Sequence, residues 1–171
     1  MRFNKPRIAL SLLAVTVLAA AASACGSSNR YQGMDAEALF LMATDEYSED
    51  DYQKAAASLD RLLLLYADWE RLPEVRMLLA DSHYAGADYL TARAEYTRFL
   101  DRYSGHEDAV LASLGECRSL ASLSPQMPRD QVFTRDAIST CRNVLLDYQG
   151  TPESIVAAEL ATNMRLKLAE K

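Results

Sequence analysis

The stretch DYQKAAASLDRLLLLY, residues 51–66, is followed at residues 88–103 by DYLTARAEYTRFLDRY, which has the same pattern. In both, five key residues are spaced by three, four, three and four positions, which places them on one face of an α-helix. The two copies lie 37 residues apart, since 89 − 52 = 37, and a third begins after a further 45 residues. The three sets are Tyr52, Ala55, Leu59, Leu62 and Tyr66; Tyr89, Ala92, Tyr96, Phe99 and Tyr103; and Thr134, Ala137, Cys141, Val144 and Tyr148.

Each of these predicted helices follows another amphipathic segment. The second position of every copy is alanine, which lets a neighbouring helix approach closely. A period of 34 to 40 residues built from helix–turn–helix units is typical of tetratricopeptide repeats. A single pair of helices cannot bury both of its apolar faces, so the pairs are expected to stack. We therefore predict an all-α tetratricopeptide-repeat solenoid over residues 34–171.

This solenoid should contain about three and a half helix pairs. Its units are predicted at about 34–68, 73–104, 106–149 and 151–171, and the third is lengthened by the segment LSPQMPRDQ, residues 123–131. The fourth unit has one helix, whose Leu160, Met164 and Leu168 need cover. It is either a capping helix or the point at which a longer protein has been truncated.

The N-terminus has the features of a bacterial lipoprotein signal. A basic start and an apolar run of about 15 residues, too short to span a bilayer, lead to the sequence ASAC at residues 22–25. This resembles a lipobox, which predicts a signal peptide at 1–24, lipidation of Cys25 and a flexible tether over 25–33; the alternative is an ordinary signal-peptidase site with a chance cysteine. Glycine after the cysteine favours the outer membrane.

Charge argues against nucleic acid as a partner. The signal segment contains three of the 18 basic residues and no acid, so the remainder has 15 basic and 24 acidic residues, a net charge of −9. An acidic chain repels phosphate backbones. The two histidines have no metal-ligand spacing with the cysteines, and the glycines form no phosphate-binding loop. We expect no catalytic residue, no metal and no cofactor, and hence no enzyme.

Binding residues are expected on the first helix of each pair, because these helices line the concave groove of tetratricopeptide solenoids. Their aromatic, methionine and carboxylate side chains would suit a peptide with apolar and polar or basic character. For Phe40, Met77 and Tyr84, packing between units is the alternative role. The groove candidates are Glu37, Phe40, Thr44, Tyr47, Glu74, Met77, Asp81 and Tyr84.

Cys117 and Cys141 fall on the inward faces of the two helices of the third unit. In an oxidising compartment they could form a disulfide. The alternative is two buried, unbonded thiols acting as small apolar side chains.

The lipobox, the short tether and the tandem repeats together resemble the BamD family of outer membrane protein assembly factors. The first unit, ALFLMATDEYSEDDYQKAAASLDRLLLLYAD at 38–68, is similar to that family's opening pattern. The segments DYLTARAEYTRFLDRYSGHEDA at 88–109 and PRDQVFTRDAISTCRNVLLDYQGTPES at 128–154 resemble its second and third units. The similarity covers roughly residues 25–171.

This resemblance implies a lipid-anchored scaffold on the periplasmic face of the outer membrane. Its partners would be a BamA-like barrel protein, other assembly-complex subunits and unfolded outer-membrane protein segments, recognised through a C-terminal strand that often ends in an aromatic residue. Family members continue for about two more helices, so the chain is expected to be truncated at its C-terminus. The alternative is another periplasmic repeat lipoprotein, such as a pilus-assembly pilotin or a cell-envelope and division coordinator.

Overall fold

A computed structural model describes residues 30–124 and 131–169, and within these ranges every regular element is an α-helix. The all-α prediction is therefore confirmed. Arg30 to Met34 form a turn, in which the backbone N–H of Met34 donates to the carbonyl of Tyr31 at 3.4 Å. The helices follow in a separate unit, as α1 Ala36–Ser48, α2 Tyr52–Leu65, α3 Leu72–Ala85, α4 Tyr89–Tyr103, α5 Ala109–Leu123, α6 Val132–Asp147 and α7 Pro152–Ala169.

The helices pack in the order of a tetratricopeptide solenoid. Each helix contacts the next one along the chain, and the first helices of successive pairs also contact each other, α1 with α3, α3 with α5, and α5 with α7. Within the described ranges the second helices α2, α4 and α6 do not contact one another. The first helices therefore form one continuous row, and the second helices form the opposite layer.

Alanines at the seam between paired helices allow this close packing. Ala43 of α1 and Ala55 of α2 have no exposed surface, and the same holds for Ala80 of α3 and Ala92 of α4. A larger side chain at these positions would hold the two backbones apart. The three internal positions of each repeat pattern are all buried, whereas the flanking tyrosines are half-buried.

The turns of the first two pairs repeat as closely as the helices do. Asp50 and Ala87, which are 37 residues apart, both adopt left-handed backbone conformations, with φ of 63° and 61°. Beside these turns, the rings of Tyr47 and Tyr52 lie 5.4 Å apart, edge to face, and Tyr84 and Tyr89 repeat this contact at 5.4 Å. Non-glycine residues seldom adopt positive φ, so the shared geometry shows that the repeat extends through the turn.

The third pair is held by a covalent bond as well as by packing. The structure joins Cys117 of α5 to Cys141 of α6 by a disulfide, with their Cα atoms 5.0 Å apart. Both cysteines are fully buried, in a cluster with Leu114, Val144 and Ala157. Residues 125–130, which carry most of the extra length predicted for this unit, lie outside the described ranges.

The last helix is partly covered by the third pair. α7 contacts both α5 and α6, and the Lys167 ammonium donates to the carbonyl of Ser124 at 2.9 Å. Leu160, Met164 and Leu168 are half-buried, whereas Leu166 is 59% exposed. The cover that the sequence requires for these three residues is therefore supplied in part by α5 and α6.

Replacing Ala92 by leucine should test the seam directly. Three additional carbons would be forced between α3 and α4, and overpacking of this kind costs about 1–3 kcal/mol. We expect Ala92→Leu to lower the free energy of unfolding by that amount in urea denaturation. The control is Ala57→Leu, because Ala57 lies on α2 and is exposed. Equal stability of the two variants would show that close helix approach at Ala92 is not required.

Candidate functional site

A cavity of about 310 Å³ opens between the first helices of the three pairs. Its walls come from α1, α3, α4 and α5, so residues up to 71 positions apart in sequence contribute to one site. We call this cavity the groove pocket. It is lined by Tyr47, Met77, Asp81, Tyr84, Tyr96, Leu111, Leu114, Gly115 and Arg118.

Tyr96 forms the floor of the groove pocket. Its ring is 3% exposed, and its hydroxyl donates to Oδ1 of Asp81 at 2.5 Å. The ring packs against the backbone of Gly115, where a Cβ atom would overlap the ring carbons. Glycine at this position of α5 therefore lets a large aromatic side chain of α4 lie flat beneath the pocket and reach α3.

The main charged group on the α3 side of the groove pocket is the half-buried carboxylate of Asp81. Burial raises the pKa of Asp81, while the hydrogen bond from Tyr96 opposes this shift and Arg118 opposes it more weakly. The pKa of Tyr96 is raised by its own burial and by the Asp81 charge. The pKa of Tyr47 is raised by the same two causes. Both hydroxyls therefore stay protonated at neutral pH, and that of Tyr96 is used in the hydrogen bond to Asp81.

Half of the residues predicted for the groove meet in this pocket. Tyr47 of α1 and Met77, Asp81 and Tyr84 of α3 all line it. Met77 is 9% exposed and belongs to the cluster that contains Ala80, Ala92 and Phe99, so it serves the core as well as the pocket wall.

Three other predicted residues lie in a different cluster, centred on Arg71. The Arg71 guanidinium donates to both carboxylate oxygens of Glu37, at 2.9 and 3.1 Å, and to both of Glu74, at 3.0 and 2.7 Å. It also lies 4.5 Å from the centre of the Phe40 ring, which packs edge to face on Trp69. We call these five residues the Arg71 cluster.

The Arg71 cluster limits what its acids can bind. The hydrogen bonds from Arg71 lower the pKa of Glu74. The carboxylates of Glu74 and Glu37 raise the pKa of Arg71 in return. Because Glu37 and Glu74 are already paired with a guanidinium, they would have to leave it to contact a basic ligand. The remaining predicted residue, Thr44, is exposed, and its hydroxyl donates to the Phe40 carbonyl at 2.9 Å.

Five pocket residues were not among the sequence-based candidates. Tyr96 lies on a second helix, where the sequence pattern predicts no groove residue, and four residues belong to α5, the first helix of the third pair. The rule that first helices line the groove would have included α5 had it been extended to that pair. The five are Tyr96, Leu111, Leu114, Gly115 and Arg118.

Within residues 30–124 and 131–169, no group of three or more histidine, cysteine, aspartate or glutamate side chains could hold a metal ion. Over the same ranges, no helix is both long and apolar enough to cross a membrane. The lipidation candidate Cys25, together with the predicted signal peptide, lies outside the described residues.

Comparison with known proteins identifies the family. Residues 32–171 match the YfiO family model, described as outer membrane lipoprotein. The chain belongs to this family of outer membrane lipoproteins. The predicted family and the predicted location at the outer membrane are both confirmed.

Two relatives of the chain carry the name outer membrane protein assembly factor BamD, one of them as putative. The chain is 25% identical over 174 residues to the outer membrane protein assembly factor BamD of Caulobacter vibrioides, a match that covers 98% of this chain and 54% of the relative. It is 30% identical over 130 residues to the putative outer membrane protein assembly factor BamD of Aquifex aeolicus, which covers 75% of this chain and 42% of the relative. The chain thus spans about half the length of these curated relatives.

The contact between Tyr96 and Gly115 can be tested with a single methyl group. In Gly115→Ala the ring of Tyr96 must move, at an overpacking cost of about 1–3 kcal/mol, whereas alanine improves helix propensity by only about 1 kcal/mol. We expect a net loss of stability in urea denaturation. Gly105→Ala is the control, because a Cβ atom at Gly105 would meet nothing within 4 Å. A Gly115→Ala protein more stable than wild type would contradict the packing described.

Proposed function

We propose that the chain is a non-enzymatic scaffold for outer membrane protein assembly, whose groove pocket binds an extended segment of an unfolded outer-membrane protein. Membership of the lipoprotein family and the role for which its BamD relatives are named support the pathway. The groove pocket supports the mode of action, since the first helices of three successive pairs contribute to its walls.

The lining of the groove pocket suits a strand with aromatic and apolar side chains. Tyr47 and Tyr84 present rings from two successive pairs, and Leu111, which is 44% exposed, faces them from α5. Aromatic rings bury large areas and retain a polar edge. Asp81 and Arg118 supply an acceptor and a donor for the backbone of an extended peptide, which has unpaired N–H and C=O groups.

We further propose how the scaffold is attached and assembled. Residues 1–24 would be removed, Cys25 would carry the lipid, and residues 25–33 would act as a tether to the repeat domain at the periplasmic face. Two or more acyl chains give stable anchoring, which one chain alone does not. The partners in this proposal are a BamA-like barrel protein and the other subunits of the assembly complex.

Substituting Leu111 by aspartate tests the peptide-binding role. The probe is a dye-labelled peptide of about ten residues, the length of one transmembrane β-strand, taken from the C-terminal strand of an outer-membrane barrel and ending in phenylalanine. Losing the burial of one leucine removes about 1.5–3 kcal/mol, so we expect binding to weaken at least roughly tenfold by fluorescence anisotropy.

The control for this test is Leu90→Asp. Leu90 is 58% exposed on α4 and does not line the groove pocket, so the substitution introduces the same charge on another surface. We expect Leu90→Asp to bind the peptide as wild type does. If both variants bind as tightly as wild type, or if both lose binding equally, the groove pocket is not the peptide site.

A further inference from the structure

Three arginines line a second cavity, formed by α3 and α4 and separate from the groove pocket. The cavity measures about 200 Å³, and its walls are Arg76, Arg98, Asp101 and Arg102. Asp101 and Arg102 follow Arg98 by three and four positions on α4, which places both beside Arg98 on one face of the helix. We call this cavity the arginine pocket.

The deepest of these arginines is held in place by a buried acid. The side chain of Arg76 is 17% exposed, and its Nη1 lies 3.9 Å from Oε2 of Glu95, whose side chain is 8% exposed. The other carboxylate oxygen of Glu95 accepts a hydrogen bond from Arg98. The buried carboxylate of Glu95 therefore orients the guanidinium groups of Arg76 and Arg98.

This arrangement leaves donors without acceptors. The Nε atom of Arg76 is buried and donates to no atom of residues 30–124 and 131–169. A buried donor without an acceptor is costly, and few occur in folded proteins. Arg102 is exposed and forms no ion pair with any described residue.

The charges indicate what the arginine pocket can accept. Three guanidinium groups face the carboxylates of Glu95 and Asp101, so the site has one uncompensated positive charge. One carboxylate would neutralise it, and guanidinium forks match the geometry of carboxylates. The pocket also stands out against the chain as a whole, which has a net charge of −9 once the three basic residues of the predicted signal segment are set aside.

We propose that the arginine pocket binds a glutamate or aspartate side chain from an acidic segment of a partner protein. A partner protein fits better than an anionic membrane surface. Membrane binding through charge needs several basic residues over a broad face, whereas this site is confined to three arginines with Asp101 among them. The site is also distinct from the groove pocket, so one chain can hold an unfolded substrate and an acidic partner at the same time.

The test uses the full chain purified in detergent and a dye-labelled, end-capped peptide of alternating glutamate and glycine. We choose Arg102→Gln because Arg102 is exposed and not needed for packing, whereas a change at Arg76 would disturb the buried pair with Glu95. Losing one charged hydrogen-bonding group should weaken binding roughly tenfold by fluorescence anisotropy. Arg102→Lys, which keeps the charge and loses the fork, should give an intermediate affinity.

Two controls make the result specific. Arg142→Gln removes an exposed arginine of α6, far in sequence from the arginine pocket, and should bind the peptide as wild type does. A matched peptide of glutamine and glycine should not bind. In the wild-type chain, the Nε–H NMR signal of Arg76 should shift as the glutamate peptide is added.

Several results would overturn the proposal. Equal binding of the glutamine peptide, equal loss in Arg142→Gln, or an Arg76 signal that does not move would each show that the arginine pocket does not bind carboxylates. If glycerophosphoglycerol, the soluble headgroup of an anionic phospholipid, bound more tightly than the peptide and depended on Arg102, the ligand would be a lipid. None of these outcomes bears on the groove pocket, whose test uses Leu111.

Discussion

Close approach of paired helices at buried alanines is the constraint on which the rest of the structure depends. Ala55 and Ala92 have no exposed surface, and their counterparts on the facing helices, Ala43 and Ala80, have none either. Because these alanines let the two helices of each pair lie close together, successive pairs can stack with their first helices in contact. The row formed by these helices then becomes the wall of the groove pocket. A small side chain repeated at one position thus contributes, through helix packing, to a pocket lined by residues of three pairs.

The groove pocket and the arginine pocket differ in the arrangement of their charged groups. In the groove pocket, burial raises the pKa of Asp81, and the hydroxyl of Tyr96 partly compensates. The lining of this pocket combines aromatic and apolar side chains with the charged groups of Asp81 and Arg118. In the arginine pocket, the buried Glu95 holds Arg76 and Arg98 in place. The outer surface is left with an excess of positive charge. Apolar segments and acidic segments would thus be received at different places on one scaffold.

Much of the fold could be predicted from the sequence, because helix periodicity and the alanine seam are local patterns. The same reasoning placed Tyr47 and Asp81 in the groove, since it needs only to know which face a first helix presents. It could not predict that Arg71, in the connection between α2 and α3, pairs with Glu37, 34 residues earlier, and with Glu74. Nor could it predict that the hydroxyl of a seam tyrosine, Tyr96, reaches Asp81. The contact between Arg71 and Glu37 depends on how neighbouring pairs are rotated against each other, and the contact between Tyr96 and Asp81 depends on how the two helices of one pair cross. Neither is encoded in the spacing of residues along a single helix.

Photo-crosslinking in living cells tests the central claim most directly. A benzoylphenylalanine residue would be introduced at position 111, in the groove pocket, and separately at position 90, on an exposed part of α4 outside it. We expect position 111 to form adducts with newly exported, unfolded outer-membrane barrel proteins, and position 90 to form none. Adducts with these proteins from position 90 alone, or equally from both positions, would contradict it.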